Sequence, residues 1–230
     1  MVQHRPFVIT KYMPDFAGVV IDKGRLQLLD SLGSGAYGKV YLAVDRTSSK
    51  TKRKYYAVKC LCKLTPGSRQ EQFQKRELMI QSMVHHHPNI VTLHKVVHGW
   101  FFVYVVLDFC AGGDLFTAIT ERKVFQRNDE LVKRVFVQLI DAVQCCHQRG
   151  VSHRDIKPEN ILVSEDGARI FLADFGLSTW DDFSTEFGFG SPHYMSPGML
   201  FLDQQISSMI KPQQSALERV LTKAVRFQHG

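Results

Sequence analysis

No apolar stretch in this 230-residue chain approaches the ~18 residues a membrane-crossing helix needs, so no membrane span is expected. The longest apolar run near the N-terminus, residues 17–21, is too short for the core of a secretory signal. Cysteine is sparse too. Cys60, Cys62, Cys110, Cys145 and Cys146 are odd in number, sit mostly in apolar runs and lack the paired spacing of a disulfide framework or a zinc site. They read as reduced thiols in or near the core of an intracellular protein, expected in the cytoplasm and/or nucleus. No internal repeat is evident, and with 44% hydrophobic and 22% charged residues the composition excludes disordered and fibrous classes. Tryptophan occurs only at Trp100 and Trp180.

The formal net charge is +7 at pH 7, which suits either a partner carrying phosphates or simply a mildly basic surface. Residues 25–45 alternate apolar and polar side chains on either side of a glycine cluster, predicting a strand, a tight turn and a second strand. The basic stretch "RTSSKTKRK" should be the loop before the strand "YYAVKCL". In "SRQEQFQKRELMIQSMV", Ser68 and Glu71 have capping-box spacing, and Phe73, Ile80 and Val84 recur at helical intervals. Glu77 falls inside that stripe, where a carboxylate either seeks a cation or lies solvated at the edge. Two strands follow in "NIVTLHKVV" and "WFFVYVVLDF". A long amphipathic helix should then span residues 128–150, capped by Asn128 and stopped by Gly150. The apolar runs 161–163 and 169–172, joined across Asp166-Gly167, form a hairpin signal, and residues 1–23 show no clean period. Strands before helices predict an α+β fold in two lobes.

Gly33, Gly35 and Gly38 form G-x-G-x-x-G, which in a dinucleotide fold would open a helix. Here Val40, Tyr41 and Leu42 continue as a strand, so a bare hairpin backbone closing over phosphates fits better. Period-two alternation puts Lys59 and Ala57 on one face, the lysine to hold phosphate oxygens and the alanine to leave room for a flat base. Glu77 is then the natural partner of Lys59. "HRDIKPEN" and "DFG" add the groups that phosphoryl transfer requires. Asp155 orients a hydroxyl and accepts its proton, Lys157 is the cation near the transferred group, and Asn160 and Asp174 are oxygen ligands for magnesium.

Together, "GSGAYG", "AVK", Glu77, "HRDIKPEN" and "DFG" resemble a eukaryotic protein kinase over residues 25–197. Lys157 and the Ser191 of "GSPHYMSP" resemble the serine/threonine branch, and "YVVLDFCAGGDLFTAITER" and "STEFGFGSPHYMSP" are similar to fungal kinases of the meiosis-inhibitor and nutrient-signalling group. The resemblance implies a small mainly-β lobe over 24–110 and a partial, mainly-α lobe over 111–197, with ATP and Mg2+ as cofactors. It also implies that Leu32, Val40, Ala57 and Leu162 enclose adenine, with Leu107 as gatekeeper, residues 108–110 (Asp108 and Cys110 included) as hinge, and Asp114 on the ribose. Arg154 before the catalytic aspartate implies control by negative charge in the activation segment, from modified Ser184 or Thr185 or from Asp181, Asp182 and Glu186. The expected substrate is a protein Ser/Thr hydroxyl, in a basic peptide if Asp114 and Glu159 attract it. Neither nucleic acid nor membrane is expected as a partner. "HHHPNIV" matches the family's helix-to-strand link rather than a metal tract.

After Pro197 the resemblance implies a glutamate and, later, a long apolar helix opening Asp-x-Trp-x-x-Gly, yet Gly198 stands in the glutamate's place and neither tryptophan lies beyond it. In the tail, 198–230, Leu217, Val220, Leu221, Ala224 and Val225 suit one short amphipathic helix. Lys59, Asp155 and Asp174 are intact, which argues against a decayed kinase. The expectation is therefore a reading frame running into an unspliced intron, since Gly198-Met199-Leu200 can be encoded GGT-ATG-TTN, containing the splice donor GTATGT. The rival is a genuine truncated nucleotide-binding or regulatory protein. Low solubility is expected if the apolar face of the 128–150 helix is left bare.

Overall fold

Alternating side chains from Leu26 onward build an antiparallel sheet. Its strands are β1 (Val20–Ile21), β2 (Leu26–Ser34), β3 (Gly38–Asp45), β4 (Tyr55–Cys62), β5 (Leu93–His98) and β6 (Phe102–Asp108), in the order β1-β2-β3-β4-β6-β5. The computed structural model describes residues 13–35, 38–180, Ser191 and Tyr194. Its contacts divide the chain into two compact units, Met1–Gln72 with Thr92–Phe109, and Phe73–Val91 with Cys110–Gly230.

The first unit contains the sheet. Paired residues on neighbouring strands share a face. Tyr41, Val58 and Val106 stand in register on one face and join Leu28, Ala43 and Cys60 in a buried cluster. Val40, Lys59 and Val105, then Leu42, Ala57 and Leu107, stand in register on the other. The buried face is covered by residues in which the sequence shows no regular pattern. Met13 and Phe16 are 6% and 3% exposed, and Phe16 meets Tyr41, Phe102 and Tyr104 edge to face. Apolar side chains here fill a surface that the sheet alone leaves bare, which periodicity cannot register. At the sheet's far end Asp45 is 4% exposed and takes hydrogen bonds from Arg25 Nη2 at 2.7 Å and Thr47 Oγ1 at 2.6 Å. Arg25 first, then Thr47, holds the Asp45 carboxyl down at about 2.

The predicted strand starts shift in two places. β5 begins at Leu93, because Ile90 bridges in parallel to Leu172 and belongs to the second unit. β6 begins at Phe102, while Trp100 and Phe101 form the turn and are 93% and 78% exposed.

The second unit takes α1 (Arg69–Val84) from Phe73 onward, α2 (Leu115–Thr120), α3 (Asp129–Gln148), a one-turn 3-10 helix (Pro158–Asn160) and the hairpin β7 (Ile161–Val163) and β8 (Ile170–Leu172). Half of the capping box forms, with Glu71 N donating to Ser68 Oγ at 3.2 Å, while Glu71 Oε2 accepts from Gly67 N at 2.8 Å, one residue before the cap. Asn128 caps α3 through Leu131 N at 3.1 Å, and Gly150 beyond its end has φ 69°. α2 is an element the sequence reading did not contain. Its local signal is Asp114, whose Oδ1 accepts from Thr117 N at 2.7 Å as the N-cap. The core joins Ile80 and Val84 of α1, Leu139 and Val143 of α3, and Ile161 and Leu172 of the hairpin. Gln138 links these layers: its Oε1 accepts from Asn89 Nδ2 at 2.8 Å and Ile170 N at 3.0 Å, while its Nε2 donates to Ala168 O at 2.9 Å. None of the five cysteines is in a disulfide, and burial pushes the thiols of Cys60 and Cys146 up to about 12, which makes them inert. Among the described residues, no helix is long and apolar enough to cross a membrane.

Candidate active site

The second unit gathers Lys157, Asn160 and Ser191 around one carboxylate. Asp155 is 8% exposed, in the loop between α3 and the 3-10 turn. Its Oδ1 accepts from Ser191 N at 3.1 Å and Ser191 Oγ at 2.9 Å. Its Oδ2 accepts from Asn160 Nδ2 and Lys157 Nζ, both at 2.8 Å. Lys157 Nζ also donates to Ser191 Oγ at 2.9 Å. The sequence marked Ser191 only as a sign of the serine/threonine branch; its place against a carboxylate 36 residues earlier is a tertiary fact.

His153, 1% exposed, supports the loop from below. Its Nε2 donates to Ala173 O at 2.9 Å, its Nδ1 accepts from Asp155 N at 3.3 Å, and its ring meets Phe175 edge to face with centroids 4.8 Å apart. Burial lowers the pKa of this imidazole, so the neutral form with the proton on Nε2 is the one that fits. Ala173 N donates to Asn160 O at 2.9 Å, which brings Asp174 within one residue of Asn160 at the end of the β7–β8 hairpin. Asp174 and Arg154 have φ of 60° and 68°, left-handed conformations that carry strain in residues with side chains. Glu77, half-buried on α1, lies beside the same backbone: a Cβ built on Gly176 would stand 3.6 Å from Glu77 Oε2 and 3.2 Å from Asp174 Oδ1.

The donors here suit a hard divalent cation. Asn160 Nδ2 is committed to Asp155, which leaves an amide oxygen, and Asp174 adds an exposed carboxylate; Mg2+ takes this kind of oxygen. The second unit also joins Asp114 to Leu162 through an isolated bridge, with Gly112 N donating to Val163 O at 3.1 Å. Cys110 is its first residue after the sheet.

The first unit supplies the other candidates. Val40, Ala57, Lys59 and Leu107 share one face, and Gly33 is paired with Val40. Leu32 is 47% exposed beside the glycines. Gly38 is required by close approach, since a Cβ there would sit 2.6 Å from Cys60 O. Gly35 N closes the turn on Gly38 O at 2.9 Å. The Asp108 carboxylate is occupied within its own unit, accepting from Thr92 N at 2.9 Å and His94 Nε2 at 2.7 Å. Burial alone would raise its pKa, and these bonds outweigh that and lower it. Ala36, Tyr37, Asp181, Asp182, Ser184, Thr185, Glu186, Gly198 and the tail lie outside the described residues.

Comparison with known proteins agrees with this geometry. The family described as protein kinase domain matches residues 26–211, extending past Pro197, where the sequence resemblance was drawn to end. The chain is 49% identical over 172 residues to the negative regulator of sexual conjugation and meiosis of Schizosaccharomyces pombe, covering 75% of this chain and 36% of that protein. It is 40% identical over 144 residues to the serine/threonine-protein kinase VHS1 of Saccharomyces cerevisiae, covering 60% and 31%. Against CBL-interacting protein kinase 24 of Oryza sativa subsp. japonica, identity is 36% over 181 residues, covering 77% and 38%. The chain thus spans about a third of the length of the curated relatives it matches. With that match over most of its length and a carboxylate held by Ser191, Asn160 and Lys157, the chain belongs to the protein kinase domain family.

Proposed function

We propose that this chain transfers the γ-phosphoryl group of ATP to serine or threonine hydroxyls of a protein substrate. The observation that carries the reading is the Asp155 carboxylate, fixed in one orientation by donors on both oxygens. A substrate hydroxyl beside it attacks the γ-phosphorus. The new oxygen–phosphorus bond forms as the bond to the β–γ bridging oxygen breaks, the hydroxyl proton passes to Asp155, and ADP leaves. Lys157, bonded to both Asp155 and Ser191, keeps a positive charge close to where the phosphoryl moves. In the first unit, Lys59 holds phosphate oxygens and Val40, Ala57 and Leu107, on the same face, line the base. Bound by Asn160 and Asp174, Mg2+ would neutralise charge on the phosphates.

A basic substrate segment is part of the proposal. Glu159 is exposed on the 3-10 turn and raises the pKa of the Tyr194 hydroxyl, second to burial. A cytoplasmic and/or nuclear location is likewise proposed, and imaging a tagged chain tests it.

The decisive assay is transfer of labelled phosphate from MgATP to a basic protein. Wild-type chain should label it, and Asp155→Ala should lower the rate by about 10²–10⁴-fold while ATP binding persists. Thermal stabilisation by nucleotide without any transfer would favour a non-catalytic binding module instead.

A further inference from the structure

The family match begins at residue 26, yet the chain just before it is built into the sheet. Phe16 is 3% exposed, and the segment's backbone is bonded to both strands of the glycine hairpin. On the β2 side, Gly18 N donates to Leu28 O, and Leu28 N to Val19 O, each at 2.8 Å. On the β3 side, Lys39 Nζ donates to Met13 O at 2.9 Å and Pro14 O at 3.3 Å. Tyr41, 2% exposed, accepts from Phe16 N at 3.2 Å and donates to Asp15 Oδ1 at 2.9 Å through one hydroxyl.

These anchors fall on the residues that alternate with the nucleotide face. Gly38 and Val40 point to that face, while Lys39 and Tyr41 point to the segment. Gly38 leaves no room for a side chain, because a Cβ there would sit 2.6 Å from Cys60 O. A hairpin rich in glycine is otherwise soft, since glycine loses the most conformational freedom on ordering.

We propose that residues 13–19 brace the glycine-rich hairpin and hold it ready for phosphate, with Phe16 and Lys39 as positioning residues. The inference rests on the nucleotide-binding reading above. Lys39 acts by tying the first turn of β3 to a covered backbone, and Phe16 by keeping that backbone seated on Tyr41, Phe102 and Tyr104.

The test uses the full chain with Lys39→Met, Lys39→Arg, Phe16→Ala and Phe16→Leu. Amide exchange is measured at Gly33, Gly35 and Gly38 and in α3, alongside MgATP affinity. Lys39→Met should speed exchange at the glycines by roughly tenfold with α3 unchanged, and weaken ATP by roughly 3–10-fold. Lys39→Arg, which keeps a donor, should restore both, as Phe16→Leu should against Phe16→Ala. Exchange that rises equally in the glycines and α3, or glycine exchange and affinity unmoved in Lys39→Met, overturns the brace and leaves nucleotide binding standing. A wild-type chain that binds no ATP, with the selective exchange difference present, overturns the nucleotide reading and leaves the brace.

Discussion

Asp155 shows how much chemistry depends on neighbours that its own motif does not contain. Asn160 and Lys157 arrive with it in "HRDIKPEN", but the two bonds from Ser191 come from a residue 36 positions away. Gly38 is a residue-scale constraint of another kind. Replacing it with alanine places a carbon 2.6 Å from both Cys60 O and Leu61 Cδ2, and because one of these is backbone, strands must part. Gly38→Ala should cost roughly 1–3 kcal/mol in a denaturant titration and weaken ATP binding with it. His153 sets a pH response. Burial holds the folded pKa below the ordinary 6.5, so the unfolded chain takes the proton first. This contribution to stability is complete above pH 6.5 and declines as the pH falls toward the lower folded value, by at most about 1.4 kcal/mol per pH unit. Urea midpoints between pH 7.5 and 5 should therefore drop more steeply for wild type than for His153→Gln.

Among the elements, those whose signals are local were legible. α1 announces itself through Ser68 and Glu71, and α3 through Asn128, because a cap is a contact between residues three apart. α2 carries the same kind of mark in Asp114, overshadowed there by the ribose role the resemblance implies. The junction of α1, α3 and the β7–β8 hairpin is different. It turns on Gln138, which helical spacing sets beside Val135 and Ala142 on the buried side but whose partners on other segments no spacing names. Gln138→Ala would strip partners from Asn89, Ile170 and Ala168. Each polar group so exposed costs about 1 kcal/mol or more, so roughly 2–3 kcal/mol should be lost in equilibrium unfolding, with β8 amides exchanging faster.

For the molecule as a whole, the apolar surface is uneven. Val137 and Ile140 stand one turn apart on α3 at 63% and 42% exposure, while the opposite side of the helix is buried through Val135, Leu139, Ala142 and Val143. Such a pair on a helix invites association. At micromolar concentrations sedimentation velocity should show wild-type chain larger than monomer, and Val137→Glu with Ile140→Lys should restore the monomer. A wild-type monomer at every concentration would contradict this.

The sequence by itself determined which groups stand in which order: a glycine hairpin, a strand lysine, and a loop carrying Asp155, Lys157 and Asn160 before Asp174, the order that the proposed phosphoryl transfer would use. It could do so because catalytic loops bring their groups together over a few bonds, where spacing stands in for geometry. Tertiary structure alone decided what holds those groups still. Ser191 on Asp155, Gln138 between layers and Phe16 on the sheet are contacts between segments tens of residues apart. Their energy comes from burying apolar surface and satisfying polar groups that only the folded chain brings within reach.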